Sequence, residues 1–191
     1  MEPESSASVD LYWIPLGAGG QVVRRCGRVY EALVARLRHH EPLTLYHAAL
    51  EVRVPDGRYV VEQTPVPDEA GAHRGVVAQG PVGLRAAGRL RIFRYEIRRW
   101  RDGVIPDVAE AVGGPCRVSR DVGTARRVLD LAPQVPTPTW GRDELGAGEM
   151  WNSNAIVAWL LERAGLDAAG LAPPAGGRAP GWNAGVRVAR R

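Results

Sequence analysis

Thr44-Leu45-Tyr46-His47-Ala48-Ala49-Leu50-Glu51-Val52-Arg53-Val54 runs into Pro55-Asp56-Gly57, and Arg58-Tyr59-Val60-Val61-Glu62-Gln63-Thr64 follows. Both outer runs are rich in β-branched and aromatic residues, which fit a pleated, half-buried surface. The Pro-Asp-Gly between them carries the residue types that a tight reversal uses. The stretch therefore predicts a β-hairpin, with two antiparallel strands joined locally. Hairpins combined with separate helices indicate an α+β fold; a parallel sheet would need a crossover helix between its strands.

The flanking segments agree with that class. Residues 9–16 (VDLYWIPL) predict a strand, ended by Gly17-Ala18-Gly19-Gly20. Residues 27–40 predict a helix with Val29, Leu33 and Leu37 on one face and Pro42 as its stop. Residues 65–88 are rich in Gly, Pro and Ala and predict a long loop with at most a short strand. Residues 90–100 alternate apolar and charged side chains, the pattern of a third strand. A short helix is expected over 107–112 and a longer one over 121–131, capped by Ser119 or Asp121. Residues 133–138 form a proline-punctuated connector, and 141–149 a polar loop. The best-defined helix covers 152–164, with Ile156, Trp159, Leu160 and Arg163 at helical spacing, Asn152 as cap and Gly165 at the stop. The reading is a flexible leader over 1–8, one domain over 9–171 and a poorly ordered Pro/Gly/Arg tail over 172–191.

Composition narrows the function classes. The chain has 191 residues, 45% hydrophobic and 24% charged, as a water-soluble globular domain has. No apolar run approaches the ~20 residues of a membrane span. The acidic, polar start Met1-Glu2-Pro3-Glu4 has no signal-peptide pattern, so a cytoplasmic location is expected. All 25 basic residues are arginine, the codon bias of a GC-rich bacterial genome. The net charge of +4 is modest, its arginines are scattered, and sequence-specific nucleic-acid binding is not expected. Cys26 and Cys116 have no metal-ligand spacing and are expected as small buried hydrophobes; neither a metal nor a cofactor is expected.

Three polar residues carry possible chemistry. His47 lies inside a strand among apolar neighbours, where its ring is either structural or a general base. Glu62, on the returning strand, is either a surface carboxylate or the group that orients an imidazole. Ser153 opens a helix, where free backbone N–H groups and the positive dipole end favour a developing anion. Asn-Ser-Asn before an apolar run is also an ordinary helix start. His39 and His40 at a helix end and His73 in a Gly-rich loop are expected to face solvent.

Taken in order, these segments resemble the circularly permuted branch of the papain-like superfamily, nearest in pattern to the lecithin–retinol acyltransferase-like proteins. His47-Ala48-Ala49-Leu50-Glu51-Val52 resembles that branch's histidine strand, and residues 59–65, with Glu62 in the polar position, its returning strand. Asn152-Ser153-Asn154-Ala155-Ile156-Val157 resembles the nucleophile helix, with serine at the cysteine position. The resemblance implies a permuted papain-like fold, a small antiparallel sheet packed against several helices. It also implies acyl transfer or hydrolysis at an amide, ester or thioester, with Ser153, His47 and Glu62 as the catalytic set. Tyr46, Trp151, Asn152 and Asn154 would contact a small-molecule or peptide acyl substrate. The alternative is an inactive papain-like fold that binds a ligand or a protein partner, because a serine hydroxyl does not ionise as a thiol does. Trp140, Arg142 and Asp143 are expected either to line the site or to pack beside it.

Overall fold

The structure, a computed structural model, describes residues 7–16, 44–65, 75–105 and 107–191. The helix expected over 27–40, with His39, His40 and Cys26, lies outside the described residues, as does His73.

The hairpin forms as its residues dictate. β1 (Ser8–Pro15), β2 (Thr44–Val54) and β3 (Gly57–Pro65) are antiparallel neighbours, with Val54 opposite Gly57 closing the turn. β4 (Val76–Pro81), β5 (Arg94–Arg101) and β6 (Cys116–Ser119) complete a sheet in the order β4-β5-β3-β2-β1-β6. A two-residue β7 (Gly177–Arg178) adds a parallel pairing onto the start of β2. The fold is α+β, with a seven-stranded sheet larger than the small one expected. The third strand begins four residues later than the alternation suggested, because residues 85–93 coil into two 3₁₀ turns.

Alternation sorts the two faces of the sheet. Val9, Leu11 and Trp13 of β1 stand opposite Val52, Leu50 and Ala48 of β2, and all six are buried in the main core. Two helices pack on this face, α1 (Val122–Leu131) and α2 (Ser153–Arg163), and a third, α3 (Trp182–Ala189), packs against α2. The other face carries a small cluster of Ile14, Ala49, Val60 and Ile105 beside buried charges. Those charges are compensated locally, since Asp10 accepts from Ser8 and Arg117, Glu51 from Arg53 and Arg58, and Glu96 from Arg98. Buried ions persist where such partners exist.

α2 is buried almost all round, from Asn154 to Leu161, so it is a central helix rather than a surface one. It lies between the sheet and α3. Gly185 of α3 sits directly on the Ala155 carbonyl, and a Cβ there would collide with it. This contact sets the depth of α2 through backbone, not through long side chains.

Residues 172–191 are not a loose tail. They form β7 and α3, with Trp182, Ala184, Gly185, Val186 and Ala189 buried. Trp182 packs on Trp13 at 4.8 Å between ring centroids and donates its indole N–H to the Ala168 carbonyl at 2.9 Å. Small residues there permit close packing, so low apolar content did not mean disorder. The short helix expected over 107–112 is one 3₁₀ turn, Val108–Glu110, and Asp121 caps α1 by accepting from the Thr124 N–H. Cys116, expected buried, is exposed on the edge strand β6. No described helix is long and apolar enough to cross a membrane.

Candidate active site

The site forms where the start of α2 meets β2. Asn152 caps α2, its side-chain oxygen accepting from the Ala155 N–H at 3.2 Å and its carbonyl from the Ile156 N–H. Among the described residues, the N–H groups of Ser153 and Asn154 meet no acceptor, as expected for a first helical turn. Ser153 is the first helical residue and is partly exposed. Its Oγ lies 2.8 Å from Nδ1 of His47, 106 positions earlier in the chain. The two sequence-predicted residues with the best claim to chemistry are in hydrogen-bond contact.

Asn154 is the reason that this contact is held. Beyond Leu50, β3 no longer pairs with β2, and the strand's inward polar groups at 46 and 48 need other partners. Asn154, 2% exposed, supplies them. Its Oδ1 accepts from the Ala48 N–H at 2.8 Å, and its Nδ2 donates to the Tyr46 carbonyl at 2.9 Å and the Pro180 carbonyl at 3.0 Å. The carboxamide thus grips the backbone on both sides of His47, while the adjacent Ser153 reaches its ring.

His47 is half-buried as a residue, and burial of its ring pushes its pKa down from 6.5 to about 4. It is therefore neutral at pH 7. If Nδ1 accepts from the serine hydroxyl, Nε2 carries the ring proton. No hydrogen bond joins Glu62 to His47, and burial, not a carboxylate, governs the ring's pKa. A carboxylate in contact would raise it. Glu62 is buried and stands opposite Arg98 in the β3–β5 register.

No family model, curated protein or solved structure matches this chain.

The remaining sequence-predicted residues support the site from behind. Tyr46 and Trp151 are 6% and 2% exposed and belong to the core, so neither presents a surface to a substrate. Gly177 sits against the Tyr46 ring, where a side chain would not fit. Trp151 is pinned by two backbone bonds, its carbonyl accepting from Gly141 and its N–H donating to Arg142. Its buried indole N–H lies near the Tyr95 hydroxyl without reaching hydrogen-bond geometry. Asp143 accepts from the Ala147 and Gly148 N–H groups, which shapes the loop leading to Trp151, and Trp140 and Arg142 are exposed on that loop. Among the described residues, no group of three or more His, Cys, Asp or Glu could hold a metal ion.

Pro180 and Gly181 were missed by the sequence reading. The Pro180 carbonyl accepts from both Asn152, at 2.8 Å, and Asn154. Gly181 has φ +87°, and a Cβ there would strike the Asn152 amide. The signal was present: a Pro-Gly turn followed by Trp182, Val186 and Ala189 at helical spacing.

Proposed function

We propose that the chain is a serine-variant acyl hydrolase or acyltransferase of permuted papain-like type, acting on an amide, ester or thioester. Ser153 attacks the carbonyl carbon, and His47 takes the hydroxyl proton at Nδ1 and returns it to the leaving group. The N–H groups at the start of α2 stabilise the oxyanion. Asn154 positions His47 through its flanking backbone, a task that Glu62 does not carry out by contact. The observation that carries this reading is the 2.8 Å approach of Ser153 Oγ to His47 Nδ1 at a helix N-terminus. The order of histidine strand, hairpin and late nucleophile helix supports the papain-like assignment.

The test is labelling by a fluorophosphonate, read by mass spectrometry on the peptide that contains Ser153. Labelling should be lost in Ser153→Ala and fall by about 10²–10⁴-fold in His47→Ala. Equal labelling of the parent and Ser153→Ala, or no labelling of a folded parent, refutes the reading.

One observation favours a second reading, a papain-like fold that binds without catalysing. A conjugate acid of pKa about 4 makes His47 a weaker base than one poised near pH 7. On that reading Ser153 and His47 are a hydrogen-bonded pair at the floor of a binding surface.

A further inference from the structure

Residues 84–94, Leu-Arg-Ala-Ala-Gly-Arg-Leu-Arg-Ile-Phe-Arg, alternate bulky apolar side chains with arginine and contain no carboxylate. They form the two 3₁₀ turns between β4 and β5, and neither turn buries a residue. The segment therefore adds nothing to the core, yet it holds three of the four most exposed large aliphatic side chains of the described residues, Val104 being the other. Leu84 and Leu90 are each 59% exposed and Ile92 69%. Phe93 and Trp140 extend the patch at 41% and 42%, brought together by Val82, whose N–H donates to the Phe93 carbonyl and which bridges to Trp140. Clustered exposure of this kind marks a contact surface, whereas scattered single residues would not.

Charge identifies the occupant. Arg85, Arg89 and Arg91 are exposed, and Arg85, Arg89 and Arg94 line a cleft of about 360 Å³ beside the apolar side chains. Arg85 meets Glu144 only at 3.7 Å, and Arg94 keeps donors beyond those it gives to Gly88 and Gln79. Apolar side chains projecting from an exposed turn, ringed by arginine, match a bilayer surface: hydrocarbon for the former, anionic headgroups for the latter. A protein partner would more typically be met by a well-packed apolar pocket, whereas the cleft here is lined mainly by arginine, Gln79 and glycine. Single-stranded nucleic acid would be met by stacked aromatics rather than by Leu84, Leu90 and Ile92.

We propose that residues 84–94 together with Trp140 dock the protein on an anionic phospholipid surface, with lipid phosphates entering the cleft of Arg85, Arg89 and Arg94. The chain lies on the membrane and does not span it. This docking is independent of whether Ser153 is catalytic.

The experiment is co-sedimentation of the full chain with vesicles of phosphatidylcholine alone or with 30 mol% phosphatidylglycerol, a composition of about one anionic lipid in three chosen to give a strong surface potential. Binding is expected to the anionic vesicles only, weakening as salt is raised. Arg89→Gln/Arg91→Gln should weaken it by about 30-fold, about fivefold for each charge removed. Leu90→Ser/Ile92→Ser, with charge unchanged, should weaken it by at least about tenfold. These side chains lie outside the core, so each variant should keep the parent's thermal melt. Arg120→Gln/Arg126→Gln, an equal charge change on exposed residues elsewhere, should alter binding less than about twofold. An equal loss in that control pair, no loss in the Leu90/Ile92 pair, or no binding to anionic vesicles overturns the proposal. Binding to polyglutamate but not to vesicles also overturns it, in favour of an acidic protein partner.

Discussion

Asn154→Leu tests the clamp around His47. Leucine has asparagine's branching with two bulkier methyl groups in place of the amide oxygen and nitrogen, so this site, 2% exposed in the parent, stays filled while the polar contacts vanish. Three partners lose their bond: the Ala48 N–H, the Tyr46 carbonyl and the Pro180 carbonyl. Pro180 retains the Asn152 amide as a donor, so two backbone groups are orphaned. A buried group left unsatisfied costs about 1–3 kcal/mol. The expected loss is about 2–6 kcal/mol, the upper part of which threatens a domain of ordinary stability. Urea unfolding followed by tryptophan fluorescence measures it. A second variant separates bonding from bulk. Asn154→Asp retains an acceptor for Ala48 but, when ionised, presents a charge to the Tyr46 carbonyl. Its buried carboxyl should titrate above the unfolded value of about 3.9. The deficit relative to the parent should then be smallest below pH ~4 and should grow as pH rises through the folded pKa. A loss under about 0.5 kcal/mol in the leucine variant, far below the figure for two orphaned groups, would refute the clamp. So would a pH-independent deficit in the aspartate variant.

Other expectations follow from the same geometry. Because burial lowers the His47 pKa from 6.5 to about 4, the unfolded chain binds the extra proton between those values. Stability should be full above pH 6.5 and should fall towards pH 4, by up to about 3 kcal/mol. His47→Gln should flatten that part of a pH series of urea midpoints. Gly181→Ala forces a Cβ into the Asn152 amide at positive φ; it should cost about 1–3 kcal/mol and reduce Ser153 labelling, checked by melts and by the fluorophosphonate assay. Trp182→Ala removes the ring against Trp13 and should destabilise by about 3–5 kcal/mol in urea titrations, whereas a disordered segment would show no change.

Legibility in the sequence followed the range of the interaction. β2, β3 and α2 with its Asn152 cap are encoded by neighbours within a few residues, and their bounds agree closely with the periodicity. The meeting of His47 with Ser153 is non-local and came into view only through a resemblance in the order of segments. Glu62 shows the limit of that approach. Being on the returning strand gave it a place near the histidine but no distance, because β3 leaves β2 after Val61 and continues beside β5. β6 escaped notice because it is only four residues long and none of them is buried. α3 escaped because Ala184, Gly185 and Ala189 pack by being small, a property that hydrophobicity counts undervalue. The arginine–aliphatic alternation of 90–94 suggests the start of the third strand, yet the same period serves an outward-facing turn.

The Pro180 carbonyl has a consequence in time. Synthesis proceeds from residue 1 upward, and Pro180 is added 28 positions after Asn152. Until then, Asn152 and Asn154 lack a shared acceptor, and α2 lacks the α3 surface on which Ala155 rests. A nascent chain still held by the ribosome therefore carries His47 and Ser153 without the brace that fixes their approach. The order of synthesis alone delays the pair's bracing until Pro180 and α3 have been added.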